Sequence, residues 1–578
     1  MSENNKKINR RDFVRNTVLL SGGVALLPSL LTSCNDDNDD PSVDYTGNFG
    51  FKEGVASFDP SATNVILWTR YTNADNESGD ASLRWEVAES SAFSSLVASG
   101  TVVAPATADY TAVVDVPGLA ANKKYYYRFR SEGTKAESVV GETKTLPTGA
   151  QASSVKLAVV SCANFQAGLF NVYGAVAASD ADAVVHLGDY IYEYGAGGYG
   201  TNATTASLNR AHQPATEIIS LSDYRTRYRQ YRSDKQLQRA HQLKPFICVW
   251  DDHEYTNDAY TTGAENHQPN EGTFEDRKRA ANQAWFEYLP ARVADKTKIY
   301  RRFEFGNLVN LLMLDTRIVG RDKQLSLASY FTAPGNTFNA AAFANDWQKA
   351  DRSMLGFDQR TWLATALGSS SASWQVLGSQ VLMGKMYIPV ELLTVVAQLA
   401  AGPTLALLAQ YSALATQLSA IKARVLQNDP TLTAAERARV TTVLPYNLDS
   451  WDGYPAERER VYAAATGKKL IALAGDTHNA WHSGLTTNTG QRVGAEFACS
   501  SVSSPGLEGL LAGNTAAIQG FEQSNQLLID DLEYLDASRR GYVLATFTAS
   551  NATAEYHYVA GLDTENAVTT IGKKVVEA

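Results

Sequence analysis

At 578 residues the chain has room for a large catalytic core and at least one smaller domain. Its formal net charge is −10 and its Lys and Arg residues are dispersed, which argues against a nucleic-acid-binding face. The four cysteines, Cys34, Cys162, Cys248 and Cys499, make no disulfide framework, so each needs its own explanation.

Residues 1–34 read as a targeting segment. Asn9-Arg10-Arg11-Asp12-Phe13 precedes an apolar stretch from Val18 to Leu31, the charged start and apolar middle of a secretory signal. The paired arginines point to the twin-arginine export machinery, which carries folded proteins. Leu31-Thr32-Ser33-Cys34 resembles a bacterial lipoprotein box, in which cleavage leaves Cys34 as a lipidated amino terminus. The expectation is an exported, periplasmic or cell-surface protein held on the membrane by a lipid anchor. Residues 35–48, with Asn35-Asp36-Asp37-Asn38-Asp39-Asp40, read as an acidic tether.

From 49 to 147 short strands alternate with turn signals: Asn64–Arg70, Ser82–Val87 and Lys124–Arg130 are rich in β-formers. The spacing predicts a small antiparallel β-sandwich with a positioning role.

From about 155 to 560 apolar strands alternate with helical stretches, and strand after strand ends in polar or ionisable residues. Val155–Val160 ends at Ser161-Cys162-Ala163-Asn164, and Ala183–Leu187 ends at Gly188-Asp189, with Tyr192 three residues on. Phe246–Trp250 ends at Asp251-Asp252-His253-Glu254, and Val309–Leu314 ends at Asp315-Thr316-Arg317. Trp374–Leu377 leads to Gly378-Ser379-Gln380, and Leu470–Leu473 leads to Gly475-Asp476-Thr477-His478. Ligands of open α/β sheets bind beyond the carboxyl ends of the strands, so these caps predict one site. Carboxylates with a histidine, a thiol and a tyrosine suit a polynuclear metal centre, whose ions need bridging oxygens. No glycine-rich phosphate cradle and no Gly-x-Ser-x-Gly elbow is present. Cys248 and Cys499 sit in apolar runs and read as small buried hydrophobes.

Residues 387–443 interrupt this pattern. Val390–Ala401 and Thr404–Ala423 are rich in leucine and alanine and flank Gly402-Pro403, which predicts a helical hairpin. Packing over the rim of the site is expected of it, with docking on a lipid surface as the alternative.

The order of Ser161-Cys162, His186-Leu187-Gly188-Asp189-Tyr190-Ile191-Tyr192-Glu193-Tyr194, Trp250-Asp251-Asp252-His253-Glu254, Trp451-Asp452-Gly453-Tyr454 and Ala474-Gly475-Asp476-Thr477-His478 resembles the PhoD-type alkaline phosphatase/phosphodiesterases. Ser379-Gln380-Val381 departs from that pattern, which often has asparagine at the first position. The resemblance implies an α/β fold with a four-layer αββα metallophosphoesterase-like core behind the β-sandwich domain. It further implies Fe³⁺ held by Cys162, Asp189, Tyr192 and His478, with Asp189 bridging to Ca²⁺ that Asp252 and Asp476 help to bind. His253 and Asn164 are then placed to protonate a leaving oxygen or touch phosphate, and Arg225, Arg301 and Arg317 are candidate substrate clamps. The implied activity is hydrolysis of a phosphate ester. The alternatives are a phospholipase D-like diesterase and a surface lipoprotein that binds a ligand without cleaving it.

Overall fold

The computed structural model describes residues 50–72, 79–131, 134–332, 337–401, 404–509, 511 and 513–578. The targeting segment, the tether and Cys34 lie outside the described residues.

Two large sheets carry the fold. A nine-stranded sheet runs, edge to edge, through Thr569–Glu577, Ala552–Val559, Gly541–Phe547, Val155–Val160, Ala183–His186, Pro245–Cys248, Val55–Phe58, Val65–Arg70 and Thr111–Val116. A seven-stranded sheet runs through Arg301–Phe305, Val309–Met313, Trp374–Gly378, Lys469–Ala474, Arg492–Ala498, Ala480–Thr486 and Leu532–Asp536. At the centre of the first, Val155–Val160, Ala183–His186 and Pro245–Cys248 run parallel, with Val160 opposite His186 and His186 opposite Cys248. At the centre of the second, Val309–Met313, Trp374–Gly378 and Lys469–Ala474 do the same. These runs are apolar without alternation because both faces are covered, as parallel sheets require.

One buried cluster joins the sheets, with Val159, Val185 and Ile247 from the first and Leu311, Val376 and Ile471 from the second. Helices close the outer faces. Asn171–Ala178 and Leu221–Arg232 contribute Val176 and Tyr228 to the shared core. Gly356–Ser369 and Pro455–Ala464 pack Leu363, Leu367 and Val461 against Leu312 and Leu377 of the second sheet. The result is the αββα arrangement expected from the sequence.

The N-terminal β region is more closely joined to the core than a separate sandwich would be. Its strand Val55–Phe58 pairs in parallel with Pro245–Cys248, Ser57 opposite Pro245, so the large sheet continues into this region. A four-stranded sheet of Leu96–Ala104, Ala81–Ala88, Lys124–Arg130 and Gly141–Lys144 packs against it. Strand alternation explains the fusion. Ala56, Phe58, Ile66 and Trp68 point into the shared core of the two large sheets, while Val55, Val65 and Leu67 point into the small core.

In the insertion, Tyr387–Pro389 pairs antiparallel with Val443–Pro445, and three helices lie between: Val390–Ala401, Leu405–Leu426 and Ala434–Thr441. The third helix has its own capping box, Thr433 with Glu436, which the reading of two helices passed over. Leu392, Leu393, Leu418 and Ile421 share a buried cluster with Ala474, Trp481, Ala498 and Leu507. The insertion therefore packs against the carboxyl ends of the second sheet's strands, where Ala474 stands two residues before Asp476. Among the described residues, no helix is long and apolar enough to cross a membrane.

Candidate metal centre

The parallel strands of both sheets end at one place. Ligand atoms of Cys162, Asp189 and His478 lie within 4.8 Å of one another. The same holds for Asp189, Asp252 and His253, and for Asp251, Asp252 and Asp476. Asp189 belongs to two of these groups and Asp252 to two, so the groups form one continuous cluster with shared carboxylates.

The backbone is forced to deliver these side chains. Cys162, Asp189, Asp476 and His478 all have left-handed φ, between 55° and 65°. Each such non-glycine residue costs roughly 1–3 kcal/mol, and strain of this kind gathers at functional sites. Gly188, just before Asp189, admits no substitute: a Cβ there would lie 2.4 Å from the backbone N of Asp251. Glu254 fixes the same turn by accepting from the backbone N–H groups of Asp189 at 2.9 Å, Tyr190 at 2.5 Å and Asp251 at 2.7 Å.

Around the first group the contacts are close. Tyr192 donates its hydroxyl to Asp189 Oδ2 at 2.9 Å, and His478 Nε2 is 3.1 Å from the same hydroxyl. Ser504 donates to Tyr192 Oη at 2.6 Å. His478 Nδ1 faces the Pro505 carbonyl at 2.8 Å and the Tyr199 hydroxyl at 2.9 Å, which turns Nε2 toward Tyr192. Cys162 is fully buried, and burial together with the Asp189 charge pushes its thiol well above the usual range. To act as a thiolate it needs a cation beside it.

At the group of Asp251, Asp252 and Asp476, Arg317 is the counter-charge. Its guanidinium bonds Asp251, lies 2.8 Å from Asp449 Oδ1 and 3.0 Å from Asp476 Oδ1, and approaches Asp252 at 3.9 Å. Burial opposes its charge, but Asp251, Asp252, Asp449 and Asp476 hold it well above the usual arginine value. Burial and the neighbouring carboxylates also raise Asp251, despite Arg317. Buried acids at this density, next to a thiol and a phenol, fit cations: hard oxygens on one side, and anionic S and O donors on the other.

His253 is held from behind by Glu193, whose Oε2 lies 2.5 Å from Nδ1 with both side chains fully buried. Burial raises the Glu193 carboxyl, but His253, the backbone N–H of Asn257 and Asn266 outweigh it and hold it down at about 2. The His253 ring also packs on Tyr192, with centroids 4.2 Å apart.

Three of the expected residues are held by other partners. Asn164 is spent on structure: its Nδ2 donates to the Tyr199 carbonyl at 3.0 Å and its Oδ1 accepts from Gln166 N at 3.0 Å. Arg225 is turned away, with Nε 2.7 Å from Glu287 and Nη2 2.6 Å from the Thr107 carbonyl, at the junction with the β region. Arg301 is locked on Asp59 by two contacts of 2.7 Å. Of the three arginines, only Arg317 reaches the cluster. Ser379, where the family pattern is broken, bonds the Val381 carbonyl and accepts from Trp451 Nε1 at 3.1 Å, a structural use. Glu193, Glu254, Tyr199, Asp449 and Ser504 were not singled out from sequence. Only Glu193 and Glu254 carried a signal, since both lie inside the strand-end motifs.

Comparisons with known proteins place the chain in a family. A family model described as PhoD-like phosphatase matches residues 157–556, and one described as its N-terminal domain matches residues 38–147. Alkaline phosphatase D of Bacillus subtilis (strain 168) is 32% identical over 571 residues, covering 96% of this chain and 84% of that protein. The solved structure of PhoD aligns with TM-score 0.71 at 30% identity, over 91% of this chain and 90% of that one. A purple acid phosphatase from yellow lupin (Lupinus luteus) seeds aligns with TM-score 0.48 at 13% identity, over 92% of this chain and 74% of that one. The strand-end cluster and the span of the family model lead to one conclusion: the chain belongs to the PhoD-like phosphatase family of phosphoester hydrolases.

Proposed function

We propose that the chain is an exported alkaline phosphatase/phosphodiesterase with an Fe³⁺/Ca²⁺ centre. Cys162, Asp189, Tyr192 and His478 would hold iron. Asp252 and Asp476 would hold calcium together with Asp189. The observation that carries this reading is the sharing of Asp189 between the group of Cys162 and His478, with Tyr192 beside it, and the group of Asp252 and His253. Thiolate and phenolate are anionic donors suited to a trivalent ion, and carboxylates to Ca²⁺. When bound, the cations supply Lewis acidity that draws charge from the phosphate and acidifies water.

The chain's own residues do the rest. His253 Nδ1 donates its proton to Glu193, which leaves Nε2 to give a proton to the departing oxygen of the ester. Glu193 fixes the ring and favours the imidazolium by its charge. Tyr192 and Tyr194 pack on the ring, 4.2 and 5.5 Å between centroids, and set the plane in which Nε2 points. The burial of Asp189, Asp252 and His253 keeps water from diluting these interactions. Attack on phosphorus in line with the leaving group accommodates monoesters and diesters alike.

Export by the twin-arginine route and anchoring through a lipid on Cys34 belong to the same proposal, supported by Asn9–Phe13 and Leu31–Cys34. Cys34→Ser should then move the protein from the membrane to the soluble fraction. The enzymatic reading is tested by metal analysis of the purified protein together with assays on aryl phosphate mono- and diesters at alkaline pH with added calcium. Protein that holds no metal and cleaves neither ester would end it.

A further inference from the structure

A fourth group of metal-type donors shares no residue with the cluster above. His482, Glu533 and Glu577 bring their ligand atoms within 4.8 Å of one another. They come from both sheets. His482 and Glu533 lie on the paired strands Ala480–Thr486 and Leu532–Asp536 of the seven-stranded sheet, and Glu577 ends the edge strand Thr569–Glu577 of the nine-stranded one.

The histidine decides what the group can do. Its side chain is 2% exposed. Nδ1 lies 3.1 Å from the Glu496 carbonyl, an oxygen that can only accept, so Nδ1 carries the proton. The other nitrogen, Nε2, lies 3.1 Å from Glu533 Oε2 and 3.4 Å from Glu577 Oε1. With Nδ1–H engaged, Nε2 faces two carboxylates across gaps that a proton or a metal cation fills. Arg492 supplies part of the counter-charge from outside, 2.7 Å from Glu533 Oε1 and 2.9 Å from Glu577 Oε1. It bonds only the carboxylates and leaves the space before Nε2 to that proton or cation. Zinc bonds of 2.0–2.1 Å in a tetrahedron set ligand atoms about 3.3 Å apart. The two separations from Nε2 bracket that value. An Nδ1–H held by a backbone carbonyl is also the support that zinc-bound histidines use.

We propose that His482, Glu533 and Glu577 form a zinc site that clips the last strand of the nine-stranded sheet to the edge of the seven-stranded one, with water as the fourth ligand. The site is structural and separate from hydrolysis.

The test is zinc titration of the full-length enzyme with its catalytic metals in place, read by zinc content after gel filtration and by thermal unfolding. Wild type should take up one zinc per chain more than Glu577→Gln or Glu533→Gln, and zinc should raise its Tm but not theirs. Both glutamates are partly exposed, so these variants should fold, and their hydrolysis of an aryl phosphate should match wild type. His482→Gln should lower zinc affinity at least 10-fold, within the range for loss of a zinc site's ligand or its support. Equal zinc uptake by wild type and both glutamine variants, or none by wild type, would overturn the proposal and leave an ion-pair network around an imidazolium.

Discussion

Glu193 Oε2 sits 2.5 Å from His253 Nδ1, and neither side chain is exposed to solvent. The same carboxylate accepts from Asn257 N at 2.8 Å and Asn266 Nδ2 at 2.9 Å, so every proton it receives has a fixed donor. A glutamine cannot copy this. Whichever way its amide turns, an NH₂ group faces a donor. Glu193→Gln is therefore expected to lower kcat roughly 10–100-fold, the usual cost of losing the group that orients a site histidine. Steady-state kinetics on an aryl phosphate, with metal content measured alongside, checks this. Full activity at unchanged metal content would remove Glu193 from the mechanism.

The sequence revealed the strand-end residues because β-branched runs stop abruptly at Cys162, Asp189, Asp252 and Asp476, and the parallel sheets gather those ends. It could not reveal which arginine reaches them. Arg225, Arg301 and Arg317 look alike in sequence, and the direction of each guanidinium is set by an acid far along the chain: Glu287, Asp59 and Asp449. Asn164 is the same case, since its partner, the Tyr199 carbonyl, lies on another loop. The fusion of the β region with the core was hidden because Val55–Phe58 is only four residues long, too short for its two-sided burial to stand out.

The arginines give a contrast that can be measured. Arg317→Gln leaves Asp251 and Asp476 without their buried counter-charge, while Asp449 keeps Arg321, and breaking such a pair typically costs about 3–5 kcal/mol. Arg225→Ala breaks a single, partly buried pair with Glu287, which keeps Gln283 as a partner, so it should cost less than the loss of Arg317. Denaturant unfolding should rank them in that order, and Arg225→Ala should keep wild-type kcat within about twofold. A large loss of kcat in Arg225→Ala at full stability would restore it as a substrate contact.

Acid should destabilise the protein partly through His186. Burial pushes its imidazole down to about 3, from an ordinary value of 6.5. The Gly188 N–H donates to Nδ1 at 3.3 Å, so Nε2 carries the proton and donates it to Tyr173 at 2.7 Å. Below pH 6.5 the unfolded chain binds a proton that the folded chain refuses until about pH 3. Stability therefore falls as pH drops through that window, by about 1.4 kcal/mol per pH unit for this one group. Burial lowers His212 and His241 as well, which adds to the slope. His186→Gln should be less stable at pH 8 yet lose less stability between pH 6.5 and 4.5, as urea unfolding at several pH values will show. Parallel curves for the two proteins would contradict this.

The insertion should matter for stability more than its position between strands suggests. Leu418 is fully buried in the cluster that includes Trp481 and Leu507. Leu418→Ala is expected to cost about 2–5 kcal/mol, as large-to-small changes in cores do. KM and kcat for a small aryl phosphate should stay near wild type below the unfolding temperature. A stability loss under about 1 kcal/mol would mean that the helices are loosely attached.

Tyr192 offers the sharpest test of the proposed iron. Its hydroxyl is 2.9 Å from Asp189 Oδ2 and 3.1 Å from His478 Nε2, the distances of ligand atoms gathered around a common point. Zinc or magnesium has no need of a phenol there, whereas a trivalent ion favours the phenolate over the proton it displaces, as bound metals do for water and thiols. A phenolate on Fe³⁺ gives a visible charge-transfer band, so the pure protein should be coloured. Tyr192→Phe keeps the ring against His253 but removes the oxygen, so the band should vanish even where iron remains bound. Cys162→Ser should shift the band and weaken iron retention, because a hydroxyl is a poorer anionic donor near neutral pH. Asp189→Asn should be the harshest of the three, since its carboxylate serves both groups. Visible spectra and iron content of the four proteins decide the matter. A colourless, fully active wild type that contains zinc and no iron would sink the iron assignment while leaving the phosphoesterase intact.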